Sequence, residues 1–294
     1  MSAVRESKIF AILTVLVVLM VAWYLGSVLL NLQPQLDSYK RFDTAVPALP
    51  QLIADLWSQP KPILPAPHQV IAEVWNGTAG QDIASKRSLL QQAGITLTGT
   101  VLGFLIGTVF GLLLAVYIVH NEAANRSLMP WIIASQTIPI LAIAPMLVVG
   151  FTAIGLQGLL PKALISTYLS FFPVVVGMVK GYRSPDQMQL DLMRTYNASR
   201  WTMFWKLRWP ASTPYLFASM KVGIAIALIG ALVAELTYTG GGGLGVRLLT
   251  GSYNGQTLVM WAVLVIAATL AAILVVSVDL AERLVLRNMG AQPA

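Results

Sequence analysis

The sequence predicts an all-α integral membrane protein. Three observations carry that expectation: six apolar intervals nearly free of charge, a side-chain inventory that is 56% hydrophobic and 11% charged, and polar, proline-bearing connections between the intervals. A helix needs about 20 apolar residues to cross the hydrocarbon core. A mean hydropathy of +0.72 over 294 residues exceeds what a soluble domain of this length requires. There is no cysteine, and His68 and His120 are the only histidines, far apart in the chain. Zinc sites, histidine-based triads and most nucleophile chemistry are therefore disfavoured.

Ile9–Leu30 is the first expected span. Arg5 and Lys8 precede it as in a secretory signal, but the uncharged run exceeds a signal core of about 7 to 15 residues and no A-x-A site follows. It reads as a retained anchor. The segment Asn31–Gln92 carries prolines at 34, 47, 50, 60, 62, 65 and 67, which should break any long helix. A collar of extended chain with short helical pieces is expected there.

Ala93–Val119 is the second span, and Gly99, Gly103, Gly107 and Gly111 recur in it every four residues. Such a stripe lets another helix backbone approach, which places this helix inside a bundle. The interval from Ser127 to Pro161 has no charge and is expected to hold a helix to about Gly150 and a short outer turn. Pro130, Pro139 and Pro145 interrupt it, with Gln136 and Thr137 beside the middle one. Kinked polar backbone at membrane depth is tolerated where protein or a watery cavity satisfies it, so Gln136, Thr137 and Pro139 are candidates for lining a path. A purely structural kink fits equally well.

Ala163–Val179 and Pro214–Tyr238 are the fourth and fifth spans, and Thr257–Val278 is the sixth. The fifth holds Lys221 and Glu235, and embedded charges tend to face a bundle interior or a cavity. Lys221, nearer one end, has the alternative of snorkelling to the interface. Glu235 is a candidate gate residue. After it comes TGGGGLG, Thr239–Gly245, which formally contains G-x-G-x-x-G. A dinucleotide site needs a strand before it and a soluble α/β unit around it, so a re-entrant turn is expected instead, and Gly243 and Gly245 join the candidate gate. No phosphate-loop motif occurs, so any ATP must be bound by another chain.

With both termini in the cytosol, the inner segments carry Arg5, Lys8, Arg126, Lys180, Arg183, Arg194, Arg200, Lys206, Arg208, Arg283 and Arg287. The outer ones carry Lys40, Arg41, Lys61, Lys86, Arg87, Lys162 and Arg247. The excess lies inside, as the positive-inside rule asks.

The polar stretch DLMRTYNASRWTMFWKLRWP, Asp191–Pro210, separates the fourth and fifth spans. Asp191–Tyr196 reads as a helical turn, Asn197 as its left-handed terminator, and Ser199 as the cap of a second short helix. Trp201, Phe204 and Trp205 then form one apolar face at i, i+3 and i+4. That face suits a groove on a partner protein or, alternatively, the headgroup layer.

These residues bring a resemblance. Membrane subunits of binding-protein-dependent ABC importers share a cytosolic motif, E-A-A-x3-G-x9-I-x-L-P, and its spacing is met here by Asp191, Leu192, Met193, Asn197, Leu207, Trp209 and Pro210. Only the proline keeps its identity. ILPAPHQVIAEVW, ASQTIPILAIAPMLVV, FFPVVVGMVKGYRS and VAELTYTGGGGLG further resemble the nitrate, sulfonate and taurine permease group, which includes permeases for pyrimidine precursors of thiamine. The resemblance implies a six-helix type I ABC importer transmembrane domain over residues 63–285, with an anchor and outer loop at 1–62, a coupling loop at 180–213 and a cytosolic tail at 286–294. It implies coupling roles for Asp191, Asn197, Ala198, Ser199, Arg200, Trp201, Phe204 and Pro210. ATP and Mg²⁺ would be bound by separate ATPase subunits, an extracytoplasmic binding protein would deliver the solute, and a second permease copy would complete the path in a bacterial cytoplasmic membrane. No cofactor, metal, nucleic acid or covalent chemistry is expected of this chain. An ion-driven transporter or channel is the alternative.

Overall fold

The computed structural model describes residues 2–289, with side chains from Ile9 onward. Arg5, Lys8 and residues 290–294 of the tail, which entered the reading above, lie outside the described side chains and residues. Among the described residues the chain is helical, without strands. The helices are α1 (Ser2–Arg41), α2 (Leu49–Trp57), α3 (Pro67–Thr78), α4 (Leu89–His120), α5 (Glu122–Ser135), α6 (Ile140–Ala153) and α7 (Leu159–Tyr182). They continue as α8 (Gln187–Thr195), α9 (Arg200–Met203), a π-helical turn (Phe204–Arg208), α10 (Trp209–Thr237), α11 (Leu244–Tyr253) and α12 (Thr257–Asn288). Five segments are long and apolar enough to cross a membrane: Ile9–Arg41, Leu89–His120, Leu159–Tyr182, Arg200–Thr237 and Thr257–Asn288. The pair α5 and α6, bent by 100°, makes a sixth if counted as one broken span. The expected all-helical membrane architecture is present, with five spans, or six when the bent pair is counted as one.

The chain forms two compact units, one of residues up to Gln91 with Arg247–Ile266, the other of Gln92–Val246 with residues from Ala267 on. In the first, α1 runs eleven residues beyond the Leu30 boundary read from hydropathy and holds Pro34 within it, so the prolines do not all act as breakers. Polar anchoring explains the extension. Asn31 donates to the Leu64 carbonyl (2.8 Å) and accepts from the Ile63 N–H (2.7 Å), Trp23 donates to the Pro65 carbonyl (2.9 Å), and Gln59 donates to Gln35 (2.6 Å). The extended proline-rich chain thus satisfies its backbone on α1, while α2 and α3 are the short helical pieces that were expected. Both have a proline in the first turn, where a missing N–H is harmless.

The second unit is built on α4, α7 and α10. The glycine stripe of α4 lies on α7: carbons added at Gly99, Gly103, Gly107 and Gly111 would meet Lys162, Ser166, Ser170 and Val174, which also recur every four residues. At this approach the Thr167 hydroxyl of α7 reaches the Gly103 carbonyl of α4 at 3.1 Å. Gly223 and Gly230 of α10 meet Ser170 and Ser166 from the other side. Without a hydrophobic drive between helices in lipid, such small-residue contacts supply the packing. Larger side chains pack beside these contacts, with Ile118, Val175, Met178, Tyr182 and Phe204 in one cluster and Phe104, Phe217, Ile224, Leu274 and Val278 in another.

The third span departs from the sequence reading. Pro130 and Pro145 sit inside α5 and α6, and the chain turns only at Gln136–Pro139. Proline disfavours the helical region for the residue before it, so Ile138 cannot continue α5. The Tyr168 hydroxyl donates to the Ser135 carbonyl and so satisfies the helix end exposed by the break. The short α11, with Arg247 and Gly251 in it, gave no span signal and was not anticipated.

Candidate functional site

Glu235 stands two residues before the end of α10 and is fully buried. A lone carboxylate there would be costly, yet three neighbouring elements each supply it a donor. From α4, the Thr96 hydroxyl lies 2.9 and 3.0 Å from its two oxygens. From α7, Lys162 Nζ lies 3.2 Å from Oε1, and from the glycine loop the Gly245 N–H donates to Oε2 at 2.9 Å. The loop is tied back in turn. Gly243 N–H donates to the Gln92 side chain, Leu244 N–H to the Thr96 hydroxyl (2.9 Å), and Lys162 to the Gly242 carbonyl.

The glycines are required by this geometry. Gly242 and Gly243 have φ of 75° and 122°, and a carbon added to Gly243 would overlap the Glu235 carboxylate. Gly245 has the Leu232 carbonyl and the Glu235 β-carbon in the place of a side chain. The re-entrant turn is thus a loop laid over a buried ion pair, and it joins α4, α7 and α10 into one tied end.

Of the path candidates, Glu235, Gly243 and Gly245 are brought together here. Gln136, Thr137 and Pro139 form the α5–α6 corner instead, where Gln136 is half-buried against Ser135 and Thr137 bonds the Ala134 carbonyl at 2.7 Å. Lys162 was read as an outer-loop charge; it is 1% exposed, in the first turn of α7. A lysine at the edge of an apolar run resembles an interfacial residue. The signal that it is not was a carboxylate, Glu235, at the matching end of another span. Thr96 and Gln92 left no such signal. Lys221, weighed as a snorkelling side chain, instead pairs with Asp279 (2.6 Å) and Glu282 of α12, while Arg283 bonds Asp279 at 2.9 Å.

At the other end of α10 lies the polar connection. Asp186 caps α8 through the Gln187 N–H (2.7 Å). No residue of α8 is buried, and Met188, Leu192 and Tyr196 are 80%, 56% and 77% exposed at i, i+4 and i+8. That is an exposed apolar stripe running from α8 to its C-cap Tyr196, beside the half-buried Leu190 and Met193. Asp191 bonds Arg194 at 2.9 Å on its flank.

Asn197 has φ of 51°, the left-handed terminator expected of it, and the Ala198 N–H closes on the Met193 carbonyl at 3.0 Å. Ser199 then caps α9 through the Thr202 N–H (3.1 Å), also as expected. The exposed Arg200 opens α9, and Pro210 occupies the first turn of α10. From Arg200 to Thr237 the chain is one 38-residue helical segment through the π-turn. The aromatic face is divided: Trp201 and Trp205 are exposed, whereas Phe204 is 5% exposed among His120, Tyr182 and Trp209. Its i, i+3, i+4 spacing put Phe204 on an outer docking face, but α4 and α7 cover it.

Comparisons with known proteins identify the family. The family model for binding-protein-dependent transport system inner membrane components matches residues 107–290. A probable ABC transporter permease of Haemophilus influenzae is 31% identical over 229 residues, covering 78% of this chain and 88% of that one. A riboflavin transport system permease of Chloroflexus aurantiacus is 28% identical over 87% of this chain and 96% of its own. A formylaminopyrimidine transport permease of Halalkalibacterium halodurans is 28% identical over 59% of this chain and 65% of its own. With the family model matched over most of the chain and a permease relative at 31% identity, the chain belongs to the inner-membrane components of binding-protein-dependent ABC importers.

Proposed function

We propose that this permease forms the solute path with a second copy of itself and is driven by cytosolic ATPase subunits that bind ATP and Mg²⁺ and dock on α8. The exposed stripe Met188–Leu192–Tyr196 carries this reading. Three apolar side chains at helical spacing fit a groove on a partner by the helix-in-groove mode. The Asn197 and Ser199 caps make the link to α9 stiff, and α10 continues from it. A displacement of α8 is therefore delivered to a helix whose far end is tied at Glu235.

In this reading both termini face the cytosol and an extracytoplasmic binding protein brings the solute to the opposite side. Closure of the ATPases drives alternating access, and the Gln136–Pro139 corner together with the loop over Glu235 belongs to the moving path. The solute is a small polar molecule such as a sulfonate, taurine, nitrate or a pyrimidine precursor. The wording SQTIPILAIAPMLVV and the formylaminopyrimidine permease among the relatives favour the last. Family membership leaves the ion-driven alternative without support. The test is Leu192→Glu in the complete transporter: ATPase copurification and uptake should both fall, while the permease remains in the membrane. Normal copurification and normal uptake would refute docking through α8.

A further inference from the structure

One face of α4, running from Val109 through Leu112, Leu113 and Val116 to Val119 and His120, has two cavities on consecutive turns. The first, about 350 Å³, is walled by those aliphatic side chains and by Trp201, Phe204, Trp205 and Trp209. The second, about 510 Å³, begins at Val119 and His120 and is lined by Arg194, Arg200 and Arg208, with no carboxylate in its wall. Arg194 shares its charge with Asp191, but the Arg200 side chain makes no hydrogen bond or ion pair among the described residues. Arg208 bonds only the neutral Tyr182 carbonyl (3.4 Å), and the charges of Arg183 and Arg194 reach it. An apolar cleft therefore ends in a basic pocket with uncompensated charge.

We propose that the two cavities together bind one anionic phospholipid, its phosphate held by Arg200 and Arg208 and an acyl chain laid along α4 beneath Trp201 and Trp205. Guanidinium groups suit a phosphate because their N–H donors match its oxygens in pairs. From Val109 to His120 the helix rises about 16 Å, close to half of a hydrocarbon core of about 30 Å. The cleft thus has the depth of one leaflet and its charge at the rim. Exposed indoles at that level match the usual place of tryptophan in a bilayer. The site goes beyond the ATPase-docking reading and does not depend on it, since the stripe Met188–Leu192–Tyr196 lines neither cavity and Arg194 is the one side chain of α8 that reaches the basic pocket.

The test uses the permease purified with its ATPase, in nanodiscs of phosphatidylcholine and phosphatidylglycerol in fixed proportion, with bromine on the chains of one lipid or the other. Tryptophan quenching should be at least about twofold stronger when phosphatidylglycerol carries the bromine, since each basic side chain near the surface favours anionic lipid. Arg200→Gln, at a side chain with no bond to the protein, should remove most of that excess. Trp201→Phe with Trp205→Phe should likewise remove most of that excess, leaving the quenching of other exposed tryptophans such as Trp131 that both lipids share. Equal quenching by both lipids, or an excess unchanged in Arg200→Gln, would overturn the proposal. Equal quenching together with loss of the ATPase from Arg200→Gln would assign the basic pocket to the ATPase instead.

Discussion

Lys162 Nζ lies 3.2 Å from Glu235 Oε1, with both side chains at most 1% exposed, so a cation and a carboxylate from two separate spans neutralise each other inside the bundle. Breaking such a pair from one side leaves an uncompensated charge and destabilises by about 3–5 kcal/mol. Lys162→Met should therefore lower the thermal midpoint of the purified permease markedly, whereas Lys162→Met with Glu235→Gln should recover much of the loss. Size-exclusion recovery after a temperature series checks both. A double variant no more stable than the single one would show that the pair is not coupled.

The loop over the pair should be as demanding as the pair itself. At Gly243, alanine adds a carbon that overlaps the Glu235 carboxylate, at a φ of 122° that side chains rarely adopt. Such strain costs about 1–3 kcal/mol locally. Gly243→Ala should depress uptake strongly while the permease still assembles with its ATPase, measured by solute uptake and copurification in parallel.

The α4–α7 contact leaves no room for a side chain. Gly103 already meets Ser166 and the Ala163 carbonyl. Gly103→Leu forces the helices apart, and overpacking of this kind costs about 1–3 kcal/mol or more. The expected result is low yield of monodisperse protein. Gly150→Leu, at a position open around the added carbon, should be tolerated in the same assay.

These sites were unevenly legible in the sequence. The glycine stripe could be read because its period of four is a property of one helix, and Asn197 and Ser199 because caps are local. The Lys162–Glu235 pair was not, because residues 73 positions apart meet only through the packing of two spans. Hydropathy alone sees Lys162 as the edge of an apolar run. The exposed stripe was obscured for another reason: Leu192 was met as one position of a family motif, and its relation to Met188 and Tyr196 emerges once all three are seen to be exposed. Phe204 was misplaced because helical spacing gives a face but not what covers it.

Phe204 therefore supports a different expectation from its exposed neighbours. Phe204→Glu places an unpaired charge among His120, Tyr182 and Trp209 and should cost at least about 3 kcal/mol, seen as loss of folded protein. Trp201→Glu, on an exposed side chain, should leave the folded yield near normal.

The chain has no native cysteine, so a single introduced thiol is a unique handle. A photoactivatable crosslinker placed in turn at Met188→Cys, Leu192→Cys and Tyr196→Cys, in the permease assembled with its ATPase, tests the coupling route directly. All three positions should capture the ATPase, with the yield falling when the flanking position Gln189→Cys is used instead. Absence of ATPase adducts from the stripe, with capture from Trp201→Cys or Trp205→Cys in its place, would contradict docking through α8.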